Sequence, residues 1–140
     1  MLHGAERTVA QHPVEMILAR QLAGYLSVPV ILVDVTGTVI FYNEPAERIL
    51  GLRFEETGPI DPKEADRLVE LSDDPATESA DAGRPLEIAL AERRPAHAHR
   101  LMLRRADRVR LQIEITAFPL IGQEGKLLGA VAMFWERPGP

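Results

Sequence analysis

Cysteine is absent from the chain. That single absence excludes disulfides, thiolate nucleophiles, Cys-ligated zinc, iron–sulfur clusters and any cysteinyl cofactor adduct. Lysine is scarce, two residues against 14 arginines. The arginines are scattered, so they read as a compositional bias and not as a basic footprint. With a net charge of −5, nucleic acid is not an expected partner. No apolar run approaches the ~20 residues of a membrane helix. The start, Met1-Leu2-His3-Gly4-Ala5-Glu6-Arg7, does not lead from a basic patch into an apolar run. No signal peptide is therefore read, no membrane partner is expected, and the expected location is cytoplasmic.

Catalytic groups are equally sparse. None of Ser27, Ser72 and Ser79 lies in a Gly-x-Ser-x-Gly setting, which a nucleophile elbow needs. Gly122, Gly125 and Gly129 lack the Gly-Lys-Ser/Thr end of a phosphate loop. The chain is not expected to be an enzyme.

What remains is an ordinary soluble composition, 46% hydrophobic and 26% charged over 140 residues. That length fits one domain. Residues 1–12 are polar without period and read as a disordered tail, as do residues 137–140. Residues 13–136 read as one domain, with an N-terminal helical segment at 13–28 and a core at 29–136. Val14, Ile17, Leu18, Leu22, Tyr25 and Leu26 recur at spacings of three and four, a single apolar stripe on a helix. Val30 to Val35 and Val39 to Tyr42 flank Thr36-Gly37 and read as a hairpin. Asn43 is a suitable N-cap for Glu44 to Leu50, and Gly51 a suitable C-cap glycine.

Between 57 and 83 eight carboxylates, among them Asp61, Glu64, Asp66 and Glu70, outnumber Lys63 and Arg67. Asp61-Pro62-Lys63-Glu64 resembles a capping box and predicts a helix from Pro62 to about Leu71. Residues 72–83 read as a solvated surface loop. A short helix is expected over Leu86 to Arg93, stopped by Pro95. Leu101 to Leu103, Val109 to Ala117 and Leu127 to Trp135 complete the strands.

The expected fold is α+β: a five-stranded antiparallel sheet with short helices on one face and the amphipathic helix, from the same chain or from a partner, on the other. Parity places Ile31, Val33, Val39, Phe41, Leu101, Leu103, Ile113, Ile115 and Ala117 on the inner face, with Leu128, Ala130 and Phe134 beside them. Any ligand is expected to contact Ile31, Val33, Ile113 and Ile115. His97 and His99 share parity with Leu101 and Leu103. A His-x-His pair suits a metal, but the spacing identifies no third ligand. The pair is read as partly exposed histidines at a strand start, and no metal site is assigned.

Val33-Asp34-Val35-Thr36-Gly37-Thr38-Val39, followed by Tyr42-Asn43-Glu44-Pro45-Ala46-Glu47-Arg48-Ile49-Leu50-Gly51, resembles the strand–turn–strand and Asn-capped helix of PAS domains. Gly125-Lys126-Leu127-Leu128-Gly129-Ala130-Val131 resembles their closing hairpin. The likeness spans Leu22 to Glu136 and extends to Arg94-Pro95-Ala96-His97 and Thr116-Ala117-Phe118-Pro119-Leu120. It places Val39 and Phe41 inward where alternation leaves them open. It implies a bacterial sensory or protein-interaction module. The ligand space would be lined by Ile31, Val33, Val39, Phe41, His99, Leu101, Leu103, Ile113, Ile115 and Ala130. It also implies a homodimer, here through Val14, Ile17, Leu18, Leu22 and Tyr25. The flavin photoadduct types carry a cysteine and the haem types a histidine in the helix at 86–93, and both are missing here. Neither cofactor is expected. A sensor holding a small apolar ligand is the alternative, and a small enzyme on a similar scaffold the more distant one.

Overall fold

A computed structural model describes residues 13–68, 70–73, 84–105 and 107–137. Helix α1 (Val14–Tyr25) precedes the hairpin β1 (Val30–Asp34) and β2 (Val39–Tyr42). Three short helices follow, α2 (Glu44–Leu50), α3 (Phe54–Thr57) and α4 (Pro62–Leu68), then β3 (Glu70–Asp73) and α5 (Pro85–Glu92). The chain closes with β4 (Ala96–Arg104), β5 (Arg110–Ile121) and β6 (Leu127–Glu136). All neighbouring strands are antiparallel, in the order β2-β1-β6-β5-β4-β3.

The sheet therefore has six strands, one more than the alternation predicts. The extra strand is β3, where the sequence reading runs α4 on to Leu71 and starts a loop at Ser72. Instead α4 ends at Leu68, and Leu71 and Ser72 pair with Leu103 and Met102. A four-residue edge strand carrying two acidic residues has too little alternation to be seen. The rest of the loop reading, 74–83, and the tails 1–12 and 138–140 lie outside the described residues.

The local signals act where the residues suggest. Asp34 Oδ1 accepts from the Thr36 and Thr38 backbone N–H groups at 2.9 and 3.1 Å, so one carboxylate closes the β1–β2 turn. Asp61 caps α4 through the Glu64 N–H at 2.8 Å. Gly51 ends α2 at φ 75°, a conformation that favours glycine.

The two faces of the sheet are packed differently. On the inner face Val33, Tyr42, Leu101, Leu103, Ile113, Ile115, Ala130 and Phe134 join Ala46, Leu50 and Ala89 from the short helices. On the outer face Met16 and Ala23 of α1 join Val30, Leu32, Ile40, Leu128 and Val131. Leu128 thus lies on the face opposite to the one parity assigns it. Gly129, at φ 155°, allows β6 to cross close to β1, since a Cβ there would collide with the Val33 carbonyl oxygen.

Candidate functional site

Eight of the ten expected lining residues share the inner cluster: Ile31, Val33, Val39, Leu101, Leu103, Ile113, Ile115 and Ala130. Phe41 and His99 do not, and each is displaced by a β-bulge. In β2, Leu32 pairs with Phe41 and Val33 with Val39, so Ile40 is an extra residue. The bulge turns Phe41 to the outer face with Leu32 while Val39 stays inside. Phe41 there packs edge-to-face on Phe54, at 5.5 Å between ring centroids. The Arg20 guanidinium lies 5.1 Å from the Phe41 centroid and 5.7 Å from that of Phe54, a cation–π clamp from α1.

In β4, Ala98 pairs with Ile115 and Leu101 with Ile113, so His99 and Arg100 together oppose Glu114. Every side chain before the bulge changes face relative to the simple alternation. His97 and His99 consequently stand on the outer face, and His99 is exposed. Glu114 Oε2 lies 3.0 Å from His97 Nε2 and 3.3 Å from His99 Nδ1. His97 Nδ1 meets Thr116 Oγ1 at 2.5 Å, and the two imidazoles pack edge-to-face. Strand register thus brings Glu114 across from β5 to the two histidines, a neighbour that sequence spacing does not identify.

Among the described residues Asn43 is the one buried polar side chain, 2% exposed. Its Oδ1 accepts from the Ala46 N–H as a helix cap and from the Val30 N–H of β1. Its Nδ2 donates to the Ala23 carbonyl at the end of α1 and to the Val28 carbonyl. One amide thus joins α1, β1 and α2. Only the cap is visible in sequence, because the other partners are 13 or more residues away.

Tyr42, opposite Ile31 in the register, places its hydroxyl 3.2 Å from Thr57 Oγ1. Burial pushes its phenol above the ordinary value of 10.0, because the charged form is poorly solvated there.

Helix α1 presents two faces. Met16, Ala19 and Ala23 pack onto the sheet. Val14, Ile17, Leu18, Leu22 and Tyr25 point away from it and are exposed, Tyr25 by 88%. The stripe expected to cover the outer sheet face is thus not the face that does so. The smaller side chains allow α1 to lie close to the strands and leave the larger ones outward. Among the described residues no helix is long and apolar enough to cross a membrane.

Curated proteins give no match to the sequence. Solved structures share the fold at low identity. The PAS domain of nitrogen regulation protein NR(II) from Vibrio parahaemolyticus superposes with a TM-score of 0.61 at 16% identity, over 86% of this chain and 98% of that one. The PAS domain of Bordetella pertussis BvgS gives 0.66 at 16% identity, over 91% and 89%. A Rhodobacter sphaeroides LOV protein gives 0.67 at 18% identity, over 89% and 68%. The family model described as PAS domain matches residues 27–135, from the end of α1 to the end of β6. The sheet order, the Asn-capped α2 and the helices over one face accord with that match, and the chain belongs to the PAS domain family.

Proposed function

We propose that this PAS domain, a sensory module of signal transduction, acts without catalysis as a cytoplasmic protein-interaction module that pairs with a second copy of itself through α1. The observation that carries this reading is the exposed stripe Val14, Ile17, Leu18, Leu22 and Tyr25. From Val14 the steps to Leu18, Leu22 and Tyr25 are four, four and three, close to the seam spacing of paired helices. Only Glu15 and Arg20 are charged within Val14–Tyr25, so little on the helix opposes self-association. Burying a side chain of this size contributes about 1.5–3 kcal/mol. A two-fold axis brings the same stripe from both protomers together. Half-buried Phe118, Leu120 and Met133, packed against the same outer cluster, extend the apolar surface beyond α1.

The interaction reading, with neither haem nor flavin bound, is supported by the packing of the inner face. Leu101, Leu103, Ala130 and Ala117 have at most 1% of their surface accessible. A void large enough for water would give its lining accessible area, so these positions are filled by neighbouring side chains. The tests are hydrodynamic mass across a concentration series and an absorbance spectrum of freshly purified protein. A concentration-dependent dimer without a Soret or flavin band is expected. A strict monomer contradicts the pairing, and a visible chromophore contradicts the filled core.

A further inference from the structure

We propose that His97, His99 and Glu114 form a binding site for a divalent transition-metal ion of the zinc type, on the outer face of β4 and β5. One ring nitrogen from each of His97 and His99 and a Glu114 carboxylate oxygen all lie within 4.8 Å of one another. Two of the separations, both to Glu114 Oε2, are 3.0 and 3.3 Å. Metal–ligand bonds of ~2.0–2.1 Å arranged tetrahedrally set donors roughly 3.3 Å apart. Small side-chain adjustments therefore suffice to close the site around an ion. Two imidazoles and one carboxylate suit zinc, cobalt or nickel better than calcium or magnesium, which prefer all-oxygen sites. Three protein ligands leave one tetrahedral position open to water or to a donor from another molecule.

The surroundings fit this use. Thr116 Oγ1 holds His97 Nδ1. With that nitrogen protonated and donating to the hydroxyl, the Nε2 lone pair faces Glu114, and a metal ion satisfies both acceptors. The bulge at His99 and Arg100 sets both imidazoles on one face, so paired strands, not a loop, fix the donors. Arg137 donates to the His99 carbonyl at 3.0 Å, which anchors the strand end beside the cluster. Its positive charge and that of Arg100 weaken binding but leave the donor atoms in place.

A built-in reporter makes the site testable. Trp135, the chain's single tryptophan, pairs with Glu114 in the register of β5 and β6. Cobalt(II) is titrated into the untagged full chain at neutral pH. Trp135 fluorescence and the visible cobalt absorption are followed, and zinc is then added as competitor. Saturable quenching with cobalt absorption, both reversed by zinc, is expected. His97→Ala and Glu114→Gln should weaken cobalt binding at least tenfold, and Thr116→Val about tenfold. His99→Gln, at an exposed position, provides a variant with little folding risk. His3→Ala with His12→Ala removes the other two histidines and should leave binding unchanged. The proposal fails if the wild-type chain does not bind cobalt. It fails equally if binding survives His99→Gln and Glu114→Gln undiminished, or depends on His3 and His12.

Discussion

Asn43 ties three elements together, because its amide serves two buried donors and two carbonyls. Loss of a cap costs about 1 kcal/mol, and each buried group left without a partner about 1–3 kcal/mol. Asn43→Ala is therefore expected to destabilise the domain by about 3–5 kcal/mol in urea unfolding. A loss near 1 kcal/mol would mean that the cap is its whole contribution. The Asn43 cap was legible in sequence because it is local. The link to α1 was not, since it depends on how the chain returns after Leu26. Tyr42 supplies a pH-dependent contribution. Its folded pKa lies above the unfolded value of 10.0. Its contribution is thus fully present below pH 10 and is lost as pH rises through the folded pKa. Wild-type stability should fall more steeply than that of Tyr42→Phe above about pH 10. Parallel profiles in urea midpoints from about pH 8 upward would contradict the burial of this hydroxyl.

Elements were legible where periodicity is strong and unreadable where a bulge resets it. The amphipathic helix follows from its spacing of three and four and β5 from alternation, whereas the first hairpin follows from apolar runs around Thr36-Gly37 and β6 from an apolar run. Phe41, set inward by the family resemblance, and His99, set inward by alternation, lie on the outer face because β2 and β4 each carry one extra residue. Neither bulge carries a glycine or a proline to mark it. Glu114 went unrecognised for the same reason, since strand register and not sequence distance brings it to the histidines. In α1 the larger side chains attract notice, whereas the packed face is Met16, Ala19 and Ala23. The two faces should respond differently. Met16→Ala, at a residue 2% exposed, is expected to cost about 2–5 kcal/mol. Ile17→Ala, at a residue 49% exposed, should change intrinsic protomer stability by less than about 1 kcal/mol. Thermal or urea unfolding at concentrations low enough to favour monomer checks this contrast. Equal losses would place Ile17 against the sheet.

At the scale of the whole molecule, α1 is fastened to the core at three points. Met16 and Ala23 pack on the outer sheet face, Asn43 holds the Ala23 carbonyl, and Arg20 lies over Phe41 and Phe54. A helix held this firmly presents its exposed stripe as a rigid surface, and little conformational entropy remains to be lost on association. The net charge of −5 per protomer gives a repulsion screened over about 8 Å at physiological salt, so it acts weakly against apolar pairing. The most direct measurement is sedimentation equilibrium of the wild-type chain beside Ile17→Asp combined with Leu22→Asp. Both substituted positions are exposed, so each carboxylate remains in water in the free protomer and the fold is kept. A wild-type dimer and a folded monomeric variant with unchanged circular dichroism are expected. A variant that remains a well-folded dimer, or a wild-type chain that is monomeric at every concentration, would contradict pairing through α1.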